Sequence, residues 1–292
     1  MKHVASFYGL AWDTVKDLAK AHLERSLGEP DLSGLEAIAM DEFAIQRGHR
    51  YATVVVEPRR RRVLWVGRGK DRDSVRAFFE MLGPERCEQL RAVAMDMSAA
   101  YASEVRRHCP RAEIVYDLFH VVAKYGREVI DRVRVDEANR RRGNRPARRI
   151  VKGARWLLLR NRENVERPED RVRLKELLAA NRALFKVYVL RDDLKHLWAY
   201  RYLTHAERFW RSWYLRAIRS RIKPLVAFAK HLAAFRGGIL AHCHWPLHTS
   251  VLEGINNKTK VIKRMACGFR DDAYFFLKIR AALPGNVGLK KR

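Results

Sequence analysis

Strand-type runs of β-branched and apolar residues lie within the first 120 of the 292 residues, and this placement constrains the fold more than any other feature. The runs lie at 35–45, 51–57, 63–67, 90–95 and 113–116. Only short polar turns separate the first three runs, which predicts an antiparallel meander. Amphipathic helical patterns at 74–82 and 99–108 separate the last three. The order β-β-β-α-β-α-β predicts a mixed α/β layer architecture.

The strand pattern stops after residue 120. Residues 121–245 show helical periodicity, so we expect a large α-helical insertion there. The expected division of the chain is into four segments: 1–30, two helices and a linker; 31–120, the first part of an α/β core; 121–245, a basic helical insertion; and 246–292, a further helix and the C-terminal end of the core.

Positive charge dominates the composition, because 60 Lys and Arg against 33 Asp and Glu leave a net charge of +27. Such an excess repels itself in a compact fold, and phosphate backbones are the usual partner that compensates it. We therefore expect nucleic-acid binding. A ribosome-associated protein, or a protein that is basic without a nucleic-acid partner, is the alternative.

The charge is densest between Arg132 and Arg160, a segment with eleven Lys or Arg and two acidic residues. We expect its polar stretch at 140–149, which contains Gly and Pro, to be an exposed loop. Candidate phosphate contacts there are Arg140, Arg141, Arg142, Arg148 and Arg149; a solvated loop is the alternative. We expect the tryptophans of the insertion to build its helical core rather than to stack on bases. They are Trp156, Trp198, Trp210 and Trp213.

Residues 3–27 have the pattern of two helices joined at Gly9, which is the outline of a helix-turn-helix. Any αα-hairpin gives the same pattern, and the sequence has no room upstream for a supporting helix. DNA reading by this segment and a truncated remnant are therefore both left open.

Cysteine usage and hydropathy indicate the cellular setting. The four cysteines are scattered and form no Cys-x-x-Cys pair, which disfavours a disulfide scaffold and a Cys-rich zinc site. The first ten residues have no signal-peptide pattern, and no run approaches the roughly 18 apolar residues of a membrane span. We expect a soluble intracellular protein.

Two aspartates follow apolar strand-type runs. Asp41 lies inside the first predicted strand, and Asp96 directly follows the fourth. A desolvated carboxylate is costly unless it is paired or bound to a metal, and open α/β sheets bind ligands beyond the carboxyl ends of their strands. Each aspartate alone could form a turn. Together they favour a site for a hard cation such as Mg²⁺.

Two aspartates are too few to hold a pair of ions, and Glu253 is the best candidate for a third acid. The apolar face of its predicted helix consists of Val251, Ile255, Ile262 and Ala266. The polar face carries Glu253, Asn256, Asn257, Lys260 and Arg264. We expect the helix to hold metal and to contact DNA through Asn256, Asn257, Lys258, Lys260, Lys263 and Arg264. Ser250 and Glu253 also match a capping box, so a structural role for the glutamate is left open.

Four motifs resemble the DDE domain of bacterial insertion-sequence transposases, in particular the ISL3 family. They are M-D-E-F at 40–43, M-D-M-S-A-A-Y at 95–101, Y-D-L-F-H at 116–120 and E-G-I-N-N-K at 253–258. The similarity covers roughly residues 35–285, including G-F-R at 268–270, and the motifs are specific as an ordered set.

The resemblance implies an RNase H-like mixed sheet, with the helical insertion between the second Asp and the Glu and with a C-terminal catalytic helix. It implies two Mg²⁺ (or Mn²⁺) ions, with Asp41, Asp96 and Glu253 as catalytic and metal-binding acids. No zinc is predicted, because the sequence has no zinc motif. The implied partner is double-stranded DNA, both transposon ends and target, bound by a homodimer or larger assembly at the bacterial nucleoid. Family members usually begin with a zinc-binding segment and a complete helix-turn-helix, whereas this sequence starts inside the latter.

Other polar residues have weaker signals. Asp117 and His120 match the family motif at 116–120 and could support the acids with a carboxylate and a phosphate or water contact; a strand-end turn with a core histidine is the alternative. Glu42 alternates to the face opposite Asp41, so we expect it to be structural. A hinge is expected rather than a zinc site at His242, Cys243, His244 and His248.

The function predicted from the sequence is that of a DDE-type DNA transposase, a polynucleotidyl transferase and endonuclease that cleaves insertion-sequence ends and joins them to a target. Two alternatives are a structure-selective RNase H-like nuclease and a catalytically inactive DNA-binding remnant. No Gly-rich phosphate loop occurs, so nucleotide hydrolysis is not expected.

Overall fold

The structure, a computed structural model, describes residues 1–46, 48, 50–247 and 250–285; the side chains of residues 250 and 251 are outside this description. The chain divides into two compact units. The first comprises Met1–Ile114 and the chain from Leu247 onward, and the second comprises Val115–Pro246.

Five strands and a series of helices make up the described chain. The strands are β1 (Ala37–Gln46), β2 (Arg50–Glu57), β3 (Arg62–Arg68), β4 (Ala92–Met95) and β5 (Glu113–Tyr116). The α-helices are α1 (Lys2–Tyr8), α2 (Trp12–Leu27), α3 (Arg72–Leu82), α4 (Pro84–Gln89), α5 (Ala99–His108), α6 (Leu118–Tyr125), α7 (Asp131–Arg140), α8 (Arg145–Gly153), α9 (Arg155–Leu159), α10 (Pro168–Ala179), α11 (Arg182–His196), α12 (Leu203–Arg219), α13 (Lys223–Ala233), α14 (Arg236–Leu240), α15 (Ser250–Met265) and α16 (Asp272–Ala282).

The strands form one mixed sheet in the order β3-β2-β1-β4-β5. β1, β2 and β3 pair antiparallel in sequence order, which confirms the predicted meander. β1 then pairs with β4 in parallel, and the intervening α3 and α4 supply the crossover that a parallel pair requires. The predicted α/β class is confirmed, and the short helix α4 is an addition that the sequence pattern did not predict.

Both faces of the sheet are covered by helices. On the face that carries Asp41 and Phe43, the Phe43 ring meets Phe275 of α16 edge to face at 6.1 Å. On the opposite face, the Thr53 hydroxyl lies 2.8 Å from the Tyr101 hydroxyl of α5. Because β1 is central and covered on both sides, most of its residues are buried, as expected for a strand with few polar residues.

Side-chain caps fix the helices next to the sheet. Asp71 accepts a hydrogen bond from the Ser74 N–H at 2.9 Å and so begins α3. Ser98 caps α5 in the same way. In the N-terminal pair, Gly9 takes a left-handed conformation (φ 61°) and ends α1, as the predicted turn requires.

The elements of the second unit that follow β5 are all helical among the described residues. Its core includes Trp213, whose indole N–H donates to the Leu190 carbonyl at 2.8 Å, and Tyr125, whose hydroxyl donates to the Val187 carbonyl at 2.9 Å. The prediction of a tryptophan core is right for Trp213 and wrong for Trp156, which is 67% exposed. In a helix as short as α9, the periodicity of apolar residues does not determine which side chains are buried and which are exposed.

The stretch at 140–149 is not a continuous loop, and this prediction was wrong. α7 extends to Arg140, and α8 begins at Arg145 after a short turn. Asn144 caps α8 by accepting from the Ala147 N–H at 3.0 Å, and Pro146 lies in the first turn. Asn before Pro is a helix-start signal as well as a loop signal, and here the helix prevails. No described helix has the length and hydropathy needed to cross a lipid bilayer.

Candidate active site

Asp41 and Asp96 lie on the two strands that pair in parallel at the centre of the sheet. The register sets Ala37 opposite Ala92 and Ala39 opposite Ala94. Continued by two residues, the same offset sets Asp41 beside Asp96, just past the end of β4. Adjacent strands are about 4.8 Å apart, so two carboxylates on neighbouring strands can share one cation.

The Asp41 carboxylate is held from two sides. The side chain is 8% exposed. Oδ1 accepts the Glu42 backbone N–H at 2.8 Å, and Oδ2 accepts the amide Nδ2 of Asn256 at 2.6 Å. Asp96 Oδ1 accepts the Ser98 backbone N–H at 3.0 Å. These hydrogen bonds fix the orientation of both carboxylates.

The hydroxyl group of Tyr101, on α5, is buried and lies near the acidic side chains. Burial raises the pKa of its hydroxyl, the hydrogen bond with Thr53 lowers it, and the nearby carboxylates of Glu42, Asp96 and Asp41 raise it further, for a net increase. The phenol therefore stays protonated at neutral pH. Glu42 also lies 3.9 Å from the Lys70 ammonium, a contact outside the aspartate pair.

α15 brings Glu253 and Asn256 to this part of the first unit. Its buried positions are Leu252, Ile255 and Thr259, whose spacing defines one helical face, while Glu253 is exposed. The predicted apolar face is right for Ile255 and wrong for Ala266, which is exposed beyond the end of the helix. Asn256 is half-buried at the border of the two faces, and its amide contacts Asp41.

The three predicted acids are not gathered into one cluster in the described chain, where no three His, Cys, Asp or Glu side chains are grouped closely enough to hold a metal ion. Glu253 lies one helical turn before Asn256. Residues three apart on a helix have Cβ atoms about 5–6 Å apart, so Glu253 is a near neighbour of the residue whose amide contacts Asp41. The capping-box alternative depends on the Ser250 side chain, which lies outside the described residues.

The cations of α15 divide into two groups. Lys258 and Lys263 donate to the backbone carbonyls of Ala282 and Ala44, respectively. Lys260 and Arg264, together with the neutral Asn257, are exposed on the same side of the helix as Glu253. The second group therefore has the clearer access to a bound polyanion.

The arginines of the second unit are also divided. The Glu137 carboxylate receives hydrogen bonds from Arg140, Arg141 and Asn181. Burial raises the pKa of Glu137, but the hydrogen bonds from Arg141 and Asn181 and the two arginine charges outweigh it, so the pKa is lowered. In contrast, Arg142, Arg145 and Arg149 are exposed and form no ion pair with an acid of the described chain.

Asp117 and His120 belong to the second unit, as do His242 and His244. Asp117 caps α6 by accepting the Phe119 N–H at 2.8 Å, and His120 Nε2 lies 3.7 Å from its other oxygen. Both ring nitrogens of His242 face backbone carbonyls, those of Ile239 and Tyr200. His248 lies outside the described residues.

Sequence reasoning missed the contact that ties α15 to β1. Asn256 was expected to contact DNA, yet its amide donates to Asp41. A possible signal was the position of Asn256 directly after the apolar Ile255, which places it at the edge of the buried face. Tyr101 belongs to the motif at 95–101, and its hydrogen bond to Thr53 was not predicted.

Comparisons with known proteins identify the family of the chain. A family model described as a transposase, that of the ISL3 group of DDE transposases, matches residues 38–279. The transposase for insertion sequence element IS1001 of Bordetella parapertussis is 60% identical over 284 residues, which cover 97% of this chain and 70% of that protein. The transposase for insertion sequence element IS1557 of Mycobacterium tuberculosis is 29% identical over 307 aligned positions, covering 97% of this chain and 68% of that protein. The chain therefore belongs to the ISL3 family of DDE transposases.

Proposed function

We propose that this transposase cleaves DNA at the ends of its insertion sequence and transfers the cleaved strands to a target, with Asp41, Asp96 and Glu253 as the catalytic acids. The observation that carries the proposal is the parallel register of β1 and β4, which aligns two aspartates of matching context. The hydrogen bond from Asn256 to Asp41 supports the assignment of the third acid, because it holds the helix of Glu253 against β1.

An RNase H-like fold is part of the proposal. Its support is the antiparallel meander of β1 to β3 followed by the parallel partner β4, with β5 beyond it. In such a sheet the first strand is central, and its acid can be reached by a helix that returns from the C-terminal part of the chain. α15 is that helix here.

Asp41, Asp96 and Asn256 fit a hard divalent cation, since they offer carboxylate and amide oxygens. The Asn256 carbonyl oxygen is buried and has no hydrogen-bond partner among the described residues. A cation bound beside it would be coordinated by this oxygen. We propose Mg²⁺ or Mn²⁺, two ions, held by Asp41, Asp96 and Glu253. When bound, such a pair activates the attacking oxygen and stabilises the leaving oxygen of a phosphodiester. The backbone N–H groups of Glu42 and Ser98 orient the two aspartates for this task.

DNA binding is proposed on both units. On α15, the exposed Asn257, Lys260 and Arg264 follow the glutamate along the helix and are suited to phosphates beside the scissile bond. Lys258, Lys263, Arg140, Arg141 and Arg148 stay candidate contacts. In the second unit, Arg149 lies on α8, and Arg142 and Arg145 precede it along the chain. All three are exposed and are proposed to bind phosphates through their charge.

The remaining partners and sites are proposals of the same kind. A homodimer or larger assembly on DNA would bring two transposon ends together, and association with the nucleoid follows from DNA as the substrate. The helices α1 and α2 are a candidate DNA-reading pair. Asp117 and His120 are candidate supports of the acids. Asp117 also has a structural role, because its side chain caps α6.

The test is to incubate the protein with DNA that contains the insertion-sequence ends, a target plasmid and Mn²⁺, and to separate the products on a denaturing gel. Joined strands are the expected product, and Asp41→Asn, Asp96→Asn and Glu253→Gln should each remove both cleavage and joining. The matched control is Glu36→Gln, a surface glutamate whose contact is an exposed pair with Arg59. A variant of the three that cleaves like the parent would refute the assignment of that residue.

Other product patterns would favour the alternatives. Nicked DNA without joining, on branched as readily as on end-containing substrates, would indicate a structure-selective nuclease. Retention of DNA on a gel without any cleavage in Mn²⁺ would indicate an inactive binding protein.

A further inference from the structure

Asn256 is the point at which α15 contacts the aspartate pair. Its Nδ2 donates to Asp41 Oδ2 at 2.6 Å, a short hydrogen bond to a buried carboxylate. Its Oδ1 is also buried, yet it has no hydrogen-bond partner among the described residues. A buried carbonyl oxygen without a donor is uncommon in native proteins and calls for an explanation.

The two atoms of this amide have opposite chemistry. The N–H group partly compensates the negative charge of Asp41, as a cation would do more strongly. The carbonyl oxygen is a neutral ligand of the type that hard divalent cations accept beside carboxylates. Rotation about the last side-chain torsion by about 180° exchanges the two atoms at nearly the same positions, because the amide group is planar and its N and O are similar in size. No backbone movement is needed for this exchange.

We propose that Asn256 is a fourth residue of the metal site, which holds Asp41 through Nδ2 when no ion is bound and coordinates the ion through Oδ1 when one is. This inference rests on the proposed function of Asp41 and Asp96 as metal ligands. It assigns Asn256 to the acids rather than to DNA. It also gives a role to the buried Oδ1, which has no hydrogen-bond partner among the described residues and would be the ligand of the ion.

The helix position of Asn256 supports a joint role with Glu253. The two residues are one turn apart, so one helix can present a carboxylate and an amide oxygen to the same region. Asn256 contacts Asp41 while Glu253 is exposed. The amide thereby keeps the helix beside β1 and leaves the glutamate available to join the ion with a change of side-chain rotamer.

The test measures Mn²⁺ binding to the whole chain without DNA, by isothermal titration and by the loss of the free-Mn²⁺ electron paramagnetic resonance signal. Asn256→Ala is expected to raise the Mn²⁺ Kd about tenfold. Asn256→Asp adds a negative ligand and is expected to lower the Kd about three- to tenfold, while placing two carboxylates together in the metal-free protein. Its melting temperature should therefore fall without metal and rise more than that of the parent when Mn²⁺ is added.

Thr259→Val is the matched control. Thr259 lies one turn further along the buried face of α15, and its hydroxyl is also buried without a hydrogen-bond partner in the described chain. Valine keeps the shape and removes the hydroxyl, so the Mn²⁺ Kd should equal that of the parent. Asn256→Gln serves as a second variant if Asn256→Ala does not fold, and it should also weaken binding because the longer side chain misplaces the oxygen.

The outcomes separate this inference from the proposed function. If Asp41→Asn abolishes Mn²⁺ binding while Asn256→Asp and Asn256→Ala bind like the parent, Asn256 is not a ligand, and the acids keep their role. If the parent binds no Mn²⁺, or if Asp41→Asn binds like the parent, the metal site itself is refuted and this inference falls with it.

Discussion

The central strands that carry Asp41 and Asp96 differ from the arginine-rich helices of the second unit in what their hydrogen bonds and ion pairs do. At the sheet, Asp41 is buried, and backbone and amide N–H groups fix its orientation. In the helices, Glu137 holds Arg140 and Arg141, while Arg142, Arg145 and Arg149 stay exposed. The first arrangement fixes geometry and the second leaves positive charge facing solvent.

This difference indicates how chemistry and DNA binding are divided within one basic chain. An acid fixed by a strand determines where a reacting group can be placed. An exposed arginine contributes mainly through long-range charge, which is screened by salt. Substitutions in the two regions should therefore have separable effects, and the following experiments test that separation.

The largest effect is expected for the strand acids. Asp41→Asn and Asp96→Asn should each reduce the rate of DNA cleavage by at least about 10³, because groups that act together lose most of their function when one is removed. The Kd for DNA should change by less than about twofold, since one charge is a small part of the total. Cleavage on denaturing gels and fluorescence anisotropy measure the two quantities; a parallel loss of both would break the comparison.

Glu253→Gln should give the next largest effect. Cleavage should fall to below about one per cent of the parent rate. The melting temperature without metal should be unchanged, because the Glu253 side chain is exposed and Gln can occupy the same space. Thermal unfolding and single-turnover cleavage of the same preparation provide the check. A strong loss of stability would instead indicate that the glutamate is structural, as in a capping box.

The exposed arginines should show the reverse pattern. The triple change of Arg142, Arg145 and Arg149 to Ala should reduce the slope of log K for DNA against log salt by up to about 2.7, at about 0.9 per phosphate contact. Cleavage at saturating DNA should stay close to that of the parent. An unchanged slope would exclude these residues from the DNA interface.

Glu137→Gln should have a smaller effect, on stability. The variant should lose about 1–3 kcal/mol at neutral pH, because Gln lacks the negative charge that attracts the arginines and has one acceptor oxygen in place of the two that receive Arg140, Arg141 and Asn181. The folded pKa of Glu137 is lowered, so its contribution is present above the ordinary value of 4.5 and is lost as the pH falls through the folded pKa. Urea unfolding from pH 7 into the acid range should show the parent and the variant converge. Parallel curves would contradict this account of the ion pair.

Much of the sheet could be predicted from the sequence, because its strands are short apolar runs with polar turns. The helical crossover before β4 favours a parallel partner for that strand but does not identify β1 as the partner, and it is the pairing with β1 that aligns Asp41 with Asp96. The start of α8 could not be decided, because Asn144 and Pro146 favour a turn and a helix start equally. In the structure the helix forms, and it buries Val151 in the second unit.

The candidate site was predictable in its residue types but not in its contacts. Periodicity gave the helix of α15 and an approximate polar face. The rotation of a helix about its axis is set by packing, here by the buried residues Leu252, Ile255 and Thr259. A rotation by one residue position would change which side chain of α15 contacts β1. That residue is Asn256, which directly follows the buried Ile255, whereas its neighbour Asn257 is exposed.

The most direct measurement of the central claim is an anomalous-scattering map from crystals of the protein grown with Mn²⁺ and end-containing DNA. We expect a Mn²⁺ peak within coordination distance of carboxylate oxygens of both Asp41 and Asp96, with Glu253 turned toward it. Peaks confined to other parts of the chain, with the two aspartates bound only to protein groups, would contradict the account.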